Sequence, residues 1–125
     1  MVQDPSQFDV IVTNNLFGDI VTDLGAALQG GLGVAASGNI HPGRTSMFEP
    51  VHGSAPPLAG RNVANPIGAI LSAALMLDTL GLGEEARAMD AAVTQAIATR
   101  NCTRDIGGSS GTRETGDYIA TAVKS

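Results

Sequence analysis

The chain has 125 residues, 43% hydrophobic and 15% charged, a composition that predicts one globular unit and excludes a disordered one. Twelve acidic residues against seven basic ones leave a formal net charge of -5, and aromatics make up only 3%. Neither phosphate neutralisation nor base stacking is provided for, so no nucleic-acid partner is expected. A single cysteine, Cys102, excludes an internal disulfide framework and fits a reducing, cytoplasmic setting. No apolar run approaches the ~20 residues that span a bilayer, and the first residues lack the pattern of a secretory leader, so no membrane partner is expected.

In chain order, residues 8–13 (FDVIVT) are apolar and β-branched and predict a buried strand. A helical period follows, with Leu16, Ile20, Leu24, Ala27 and Leu28 on one stripe, and Gly30-Gly31 stops it. Residues 32–36 predict a second strand, turned by Ser37-Gly38-Asn39. Residues 39–66 have no sustained period and are rich in Pro, Gly and small polar residues; a loop of that length in a compact domain is usually functional. Asn65-Pro66 has the form of an N-cap with proline in the first turn of a buried helix that runs to Leu80. Gly81-Leu82-Gly83 separates it from a helix over 84–99, which is acidic at its start and packs through Ala88, Ala92, Val93, Ala96 and Ile97. A polar, glycine-rich stretch leads to a last helix, capped by Thr112, with Tyr118, Ile119 and Val123 inward. Strands alternating with helices predict an α/β fold.

Two groups of residues carry candidate chemistry. Asp19 and Asp23 are four apart on a helix, so both carboxylates reach one face and could share a hard divalent cation; they also suit solvated acids in early helical turns. The segment Phe48-Glu49-Pro50-Val51-His52-Gly53-Ser54-Ala55-Pro56 concentrates a carboxylate, an imidazole and a hydroxyl on a proline-restricted backbone. It reads either as a ligand-holding loop or as an ordered structural loop in which His52 satisfies backbone carbonyls. Asn65, at a helix start, stands where free N–H groups favour anions. Gly30-Gly31-Leu32-Gly33 ends a helix and is a turn, not a dinucleotide fingerprint; the only lysine is Lys124, so no Walker lysine exists. Ser109-Ser110-Gly111 lacks the nucleophile-elbow pattern. Cys102, between Arg100 and Arg104, is read as an incidental thiol.

Three segments then carry a resemblance over essentially the whole chain: NLFGDIVTDLGAAL (15–28), FEPVHGSAPPLAGRNVANP (48–66) and GTRETGDYI (111–119). Together they resemble the C-terminal portion of the decarboxylating dehydrogenases of 3-isopropylmalate, isocitrate and tartrate, most of all those of 3-isopropylmalate. The resemblance implies a partial α/β subunit. Residues 1–38 would close a lobe that holds metal and the dimer contact, and 39–125 would form part of the cofactor-binding lobe. It implies Mg²⁺ or Mn²⁺ at Asp19 and Asp23. For NAD it implies Glu49 near the nicotinamide, His52, Gly53, Ser54 and Ala55 around the adenosine, and Ala64 and Asn65 at the adenine.

The substrate it implies is a small 2-hydroxy acid and the assembly a homodimer. Two departures stand out. NAD-using members usually carry an aspartate for the ribose hydroxyls where this chain has Pro57. The family's substrate-clamping arginines, catalytic tyrosine and lysine, and a further metal aspartate have no counterpart here, so no catalytic residue is assigned. Tartrate, malate or isocitrate as substrate, or a non-catalytic piece that binds a nucleotide or another subunit, are the alternative expectations.

Overall fold

Small and apolar residues fill the segment after Pro66. In the computed structural model, which describes residues 2–124, they form helix α2 (Ile67–Thr79), whose Ile67, Gly68, Ser72 and Ala74 are buried. A turn with Gly81 at φ +85° leads into helix α3 (Gly83–Ala98), where Glu84 and Glu85 occupy the first turn and complement the helix dipole. Helix α4 (Thr112–Val123) packs on α3. The core lies among these three helices and comprises Ile67, Ala92, Val93, Ala96, Cys102 and Ile119. Its alanines let the helix backbones approach closely.

Helix α1 (Asn15–Leu28) begins where the Asn14 side chain accepts the Phe17 N–H at 3.2 Å. It ends before Gly30 and Gly31, whose φ values of +119° and +105° lie outside the helical region. Strands β1 (Ala36–Asn39) and β2 (Met47–Pro50) pair antiparallel, with Ala36 opposite Pro50 and Asn39 opposite Met47, and both pack on α2.

Several expectations are corrected. Residues 8–13 form no strand, and Val10 and Val12 are 81% and 91% exposed. A β-branched run becomes a strand only with a neighbour to pair with, and the described residues bring none beside it. Residues 32–34 form a 3-10 turn, so the strand starts later, at Ala36, and Ser37-Gly38-Asn39 belong to it. The stretch 39–66 is not uniformly loop, since it contains β2 and a 3-10 turn at Pro56–Leu58. The α1 stripe has the predicted period yet is not buried: Leu16, Ile20, Leu24 and Leu28 are exposed, and only Ala26 is covered. On α3, Ala86 is buried while Ala88 and Ile97 are exposed. Val123 is exposed as well.

Candidate functional site

The loop that leaves β2 is shaped by its own backbone. The Val51 N–H donates to Ala35 O at 3.0 Å, carrying the strand pairing one residue further. His52 Nδ1 donates to Gly53 O at 2.9 Å. The other ring nitrogen, Nε2, is buried and has no partner among the described residues. Ala55 is left-handed at φ +43° and leads into the turn at Pro56–Leu58, whose prolines fix φ and offer no N–H. Leu58 N–H donates to Ala55 O (2.9 Å), Ala59 N–H to Pro56 O (3.1 Å) and Arg61 N–H to Leu58 O (3.1 Å).

At the far end, Asn65 Oδ1 accepts the Ile67 N–H at 2.9 Å, but Pro66 is the residue flanking the helix, so Asn65 stands one position before the N-cap expected of it. The helix itself starts at Ile67, with Pro66 just outside it. Asn65 Nδ2 donates to Asp105 Oδ2 at 2.9 Å.

These segments enclose a groove of about 320 Å³. His52, Gly53, Ser54, Ala55, Ala64 and Asn65 line it, so residues chosen from two separated stretches of sequence share one wall. Gly33, Leu58, Val63 and Asp105 complete the lining and were not expected. Asp105 sits forty positions from Asn65, and only the fold could reveal that the two meet. The junction beneath the groove is tight. A Cβ on Gly68 would stand 3.1 Å from Gly33 O and 3.3 Å from His52 Nε2. Pro57 lies on the turn but does not line the groove.

Glu49 stands elsewhere. It is exposed on β2 opposite Ser37 and is not part of the groove lining. Asp19 and Asp23 lie on exposed positions of α1, and Asp19 Oδ2 accepts Asn15 Nδ2 at 3.4 Å. Among the described residues no group of three His, Cys, Asp or Glu side chains could hold a metal ion. The two acids are therefore an incomplete donor set within this chain, because a hard cation takes six or more oxygens. Cys102 is buried in the helical core, consistent with an incidental thiol. No helix of the described residues is long and apolar enough to cross a membrane.

Comparison with known proteins places this geometry. The 3-isopropylmalate dehydrogenase of Nocardia farcinica is 57% identical over 125 residues, covering 98% of this chain and 36% of that protein. The 3-isopropylmalate dehydrogenase of Clavibacter sepedonicus is also 57% identical, with 98% and 35% covered. The crystal structure of isocitrate dehydrogenase from Methylococcus capsulatus superimposes with a TM-score of 0.92 at 43% identity, over 100% of this chain and 38% of that one. A beta-decarboxylating dehydrogenase from Thermococcus kodakarensis gives 0.84, also at 43% identity, over 98% and 36%.

The chain thus spans little more than a third of the length of these relatives, and its fold is the corresponding part of theirs. The sequence pattern of isocitrate/isopropylmalate dehydrogenases matches residues 1–119. The chain belongs to the isocitrate/isopropylmalate dehydrogenase family.

Proposed function

We propose that this chain supplies the adenosine-binding wall for NAD, and two of the carboxylates for Mg²⁺ or Mn²⁺, in a cytoplasmic, homodimeric enzyme that oxidises and decarboxylates 3-isopropylmalate. The observation that carries the reading is the groove, which gathers six predicted dinucleotide positions against one another. Its volume of about 320 Å³ sits at the lower end of the range usual for small-molecule sites. Its wall combines small residues with Leu58 and Val63, and its polar side chains are those of His52, Ser54, Asn65 and Asp105. Those features suit a flat heterocycle joined to a sugar. The substrate assignment rests on identity: the relatives at 57% bear the name 3-isopropylmalate dehydrogenase, whereas the isocitrate dehydrogenase stands at 43%.

When bound, NAD accepts a hydride from the hydroxyl-bearing carbon of the substrate. The groove residues of this chain act at the other end of the cofactor. His52, held by its bond to Gly53 O, offers a fixed ring face for the base. Asn65 has its carbonyl committed to α2 and one N–H committed to Asp105, which leaves its second N–H to orient the ligand. Asp19 and Asp23 would contribute oxygens to a cation completed by donors beyond these two, and no further role is derived for them. Residues 1–38 belong in this reading to the metal and dimer lobe, and 39–125 to the cofactor lobe, with Glu49 facing the nicotinamide.

Titration of the chain with 5′-AMP and with NAD, followed by amide chemical shifts, tests the proposal. Shifts are expected at Ser54, Ala55, Ala64 and Asn65, with weaker binding in Asn65→Ala. Pro57→Asp adds a carboxylate beside the groove for the ribose hydroxyls. It should tighten NAD by one to two decades, equivalent to about 1–3 kcal/mol. Binding of neither nucleotide at millimolar concentration, or shifts confined to other surfaces, would overturn the reading.

A further inference from the structure

We infer that Asn62 is a positioning residue: it caps helix α4 from a distant part of the chain and thereby pins the groove wall formed by Val63 and Ala64. The functional half of this inference rests on the nucleotide reading above; the structural half does not.

The first turn of a helix leaves N–H groups without intrahelical partners, and the residue before the helix usually satisfies one of them with its side chain. At α4 that residue is Gly111, which has no side chain to offer; Thr112, expected as the cap, is the first residue of the helix instead. Asn62 takes over. Its carbonyl accepts the Thr112 N–H at 3.2 Å, and its Oδ1 accepts the Arg113 N–H at 2.9 Å. Its Nδ2 donates to Glu114 Oε2 at 2.9 Å, so an acid near the helix start is drawn to the cap much as in a capping box. Thr112 Oγ1 adds a bond to Ala64 O at 2.5 Å.

Two backbone features show that this arrangement is built in. Asn62 is left-handed at φ +54°, a conformation that asparagine adopts more readily than most residues with a Cβ. A Cβ on Gly111 would come closer than 3.0 Å to Asn62 and Glu114, so the glycine clears the space that the distant cap occupies. The loop is therefore tied down on both sides of the wall, by Asn62 and Ala64 to α4 and by Asn65 to Asp105. Val63, between the anchors, and Ala64, itself one of them, face the groove.

Hydrogen exchange and 5′-AMP titration of the full chain test this together. In Asn62→Ala the backbone carbonyl that accepts the Thr112 N–H remains, whereas the Arg113 N–H loses its side-chain acceptor, so exchange at the Arg113 amide should accelerate about tenfold, as expected on losing a net hydrogen bond. The Ala96 and Ile119 amides should keep their rates, which shows that the fold persists. The Kd for 5′-AMP should rise about three- to tenfold. If Asn62→Ala does not fold, Asn62→Gly, which suits the left-handed backbone, carries the same test. Asn62→Asp keeps an acceptor for the Arg113 N–H but replaces the donor to Glu114 by a second carboxylate, so the Kd should rise as in Asn62→Ala; adding Glu114→Gln reverses the donor and acceptor and should restore the Kd to within about twofold of the parent.

Unchanged exchange at Arg113 in Asn62→Ala would overturn the cap, and a Kd that the paired substitution does not restore would overturn the part given to the Asn62–Glu114 bond. Faster exchange with an unchanged Kd would overturn the positioning role. A parent chain that does not bind 5′-AMP removes the nucleotide reading, and with it the functional half, while exchange still decides the cap.

Discussion

Gly68 shows how much a single missing side chain decides. It opens α2 at the place where the backbone of residues 33–35 and the His52 ring come against the helix, with Gly33 O and Ala35 O at 3.1 and 3.3 Å from where a Cβ would stand. Backbone on two sides cannot yield as a flexible side chain would. Gly68→Ala gains up to about 1 kcal/mol of helix propensity but must push that backbone back by a few tenths of an ångström, so it should destabilise the fold by about 1 kcal/mol net and displace His52 from the groove. Urea unfolding of the two proteins measures the first effect and 5′-AMP titration the second; a midpoint unchanged within error would show that the junction gives way freely. At this scale the sequence was partly legible. Asn65 next to proline announced the start of a helix, and its side chain does accept the first N–H of α2, although Pro66 rather than Asn65 flanks the helix. Asp105 carried no comparable signal, because nothing around it in the chain indicates that it meets Asn65 across forty residues.

Among the elements, the start of α4 carries an acid whose ionisation is coupled to its cap. The Glu114 carboxyl is held below the ordinary glutamate range first by its own backbone N–H and then by the Asn62 amide. A carboxylate with a lower pKa in the folded chain than in the unfolded one contributes stability above its unfolded value. That contribution is lost as pH falls through the lowered folded value. A carboxyl-carbon NMR titration should place Glu114 below an ordinary glutamate, and Asn62→Ala should move it back upward. An equal midpoint in both chains would deny that the amide matters.

The helices were legible because period 3.6, caps and glycine stops are local signals. α1, α2, α3 and α4 accordingly fall within a residue or two of expectation. The strands were not. β1 reads ASGN and β2 reads MFEP, four residues each with no clear alternation, and their pairing is fixed from outside by contact with α2.

For the whole molecule, the core lies to one side. It is built from α2, α3 and α4, while Leu16, Phe17 and Ile20 of α1 are 68%, 58% and 59% exposed. Exposed apolar side chains arrayed at helical spacing are a surface on which association removes apolar area from water. In solution the chain should associate with itself, and Leu16→Glu combined with Ile20→Glu should shift it toward monomer. Sedimentation velocity over a hundredfold concentration range checks this; a parent chain that stays monomeric throughout would count against it. The stripe was legible as a pattern, but whether a periodic stripe faces inward depends on what the rest of the molecule brings to it, and that is not written in the stripe.

The turn at Pro56–Leu58 has a consequence for the time course of binding. Ala55, Pro56 and Leu58 already accept the N–H groups of Leu58, Ala59 and Arg61, and two consecutive prolines narrow what the unfolded loop can sample. The disorder this segment must surrender is surrendered when the chain folds, so little remains to be lost when a ligand arrives. Encounter should then lead to the bound state in one kinetic phase, at a rate proportional to ligand concentration, with no slower closing step behind it.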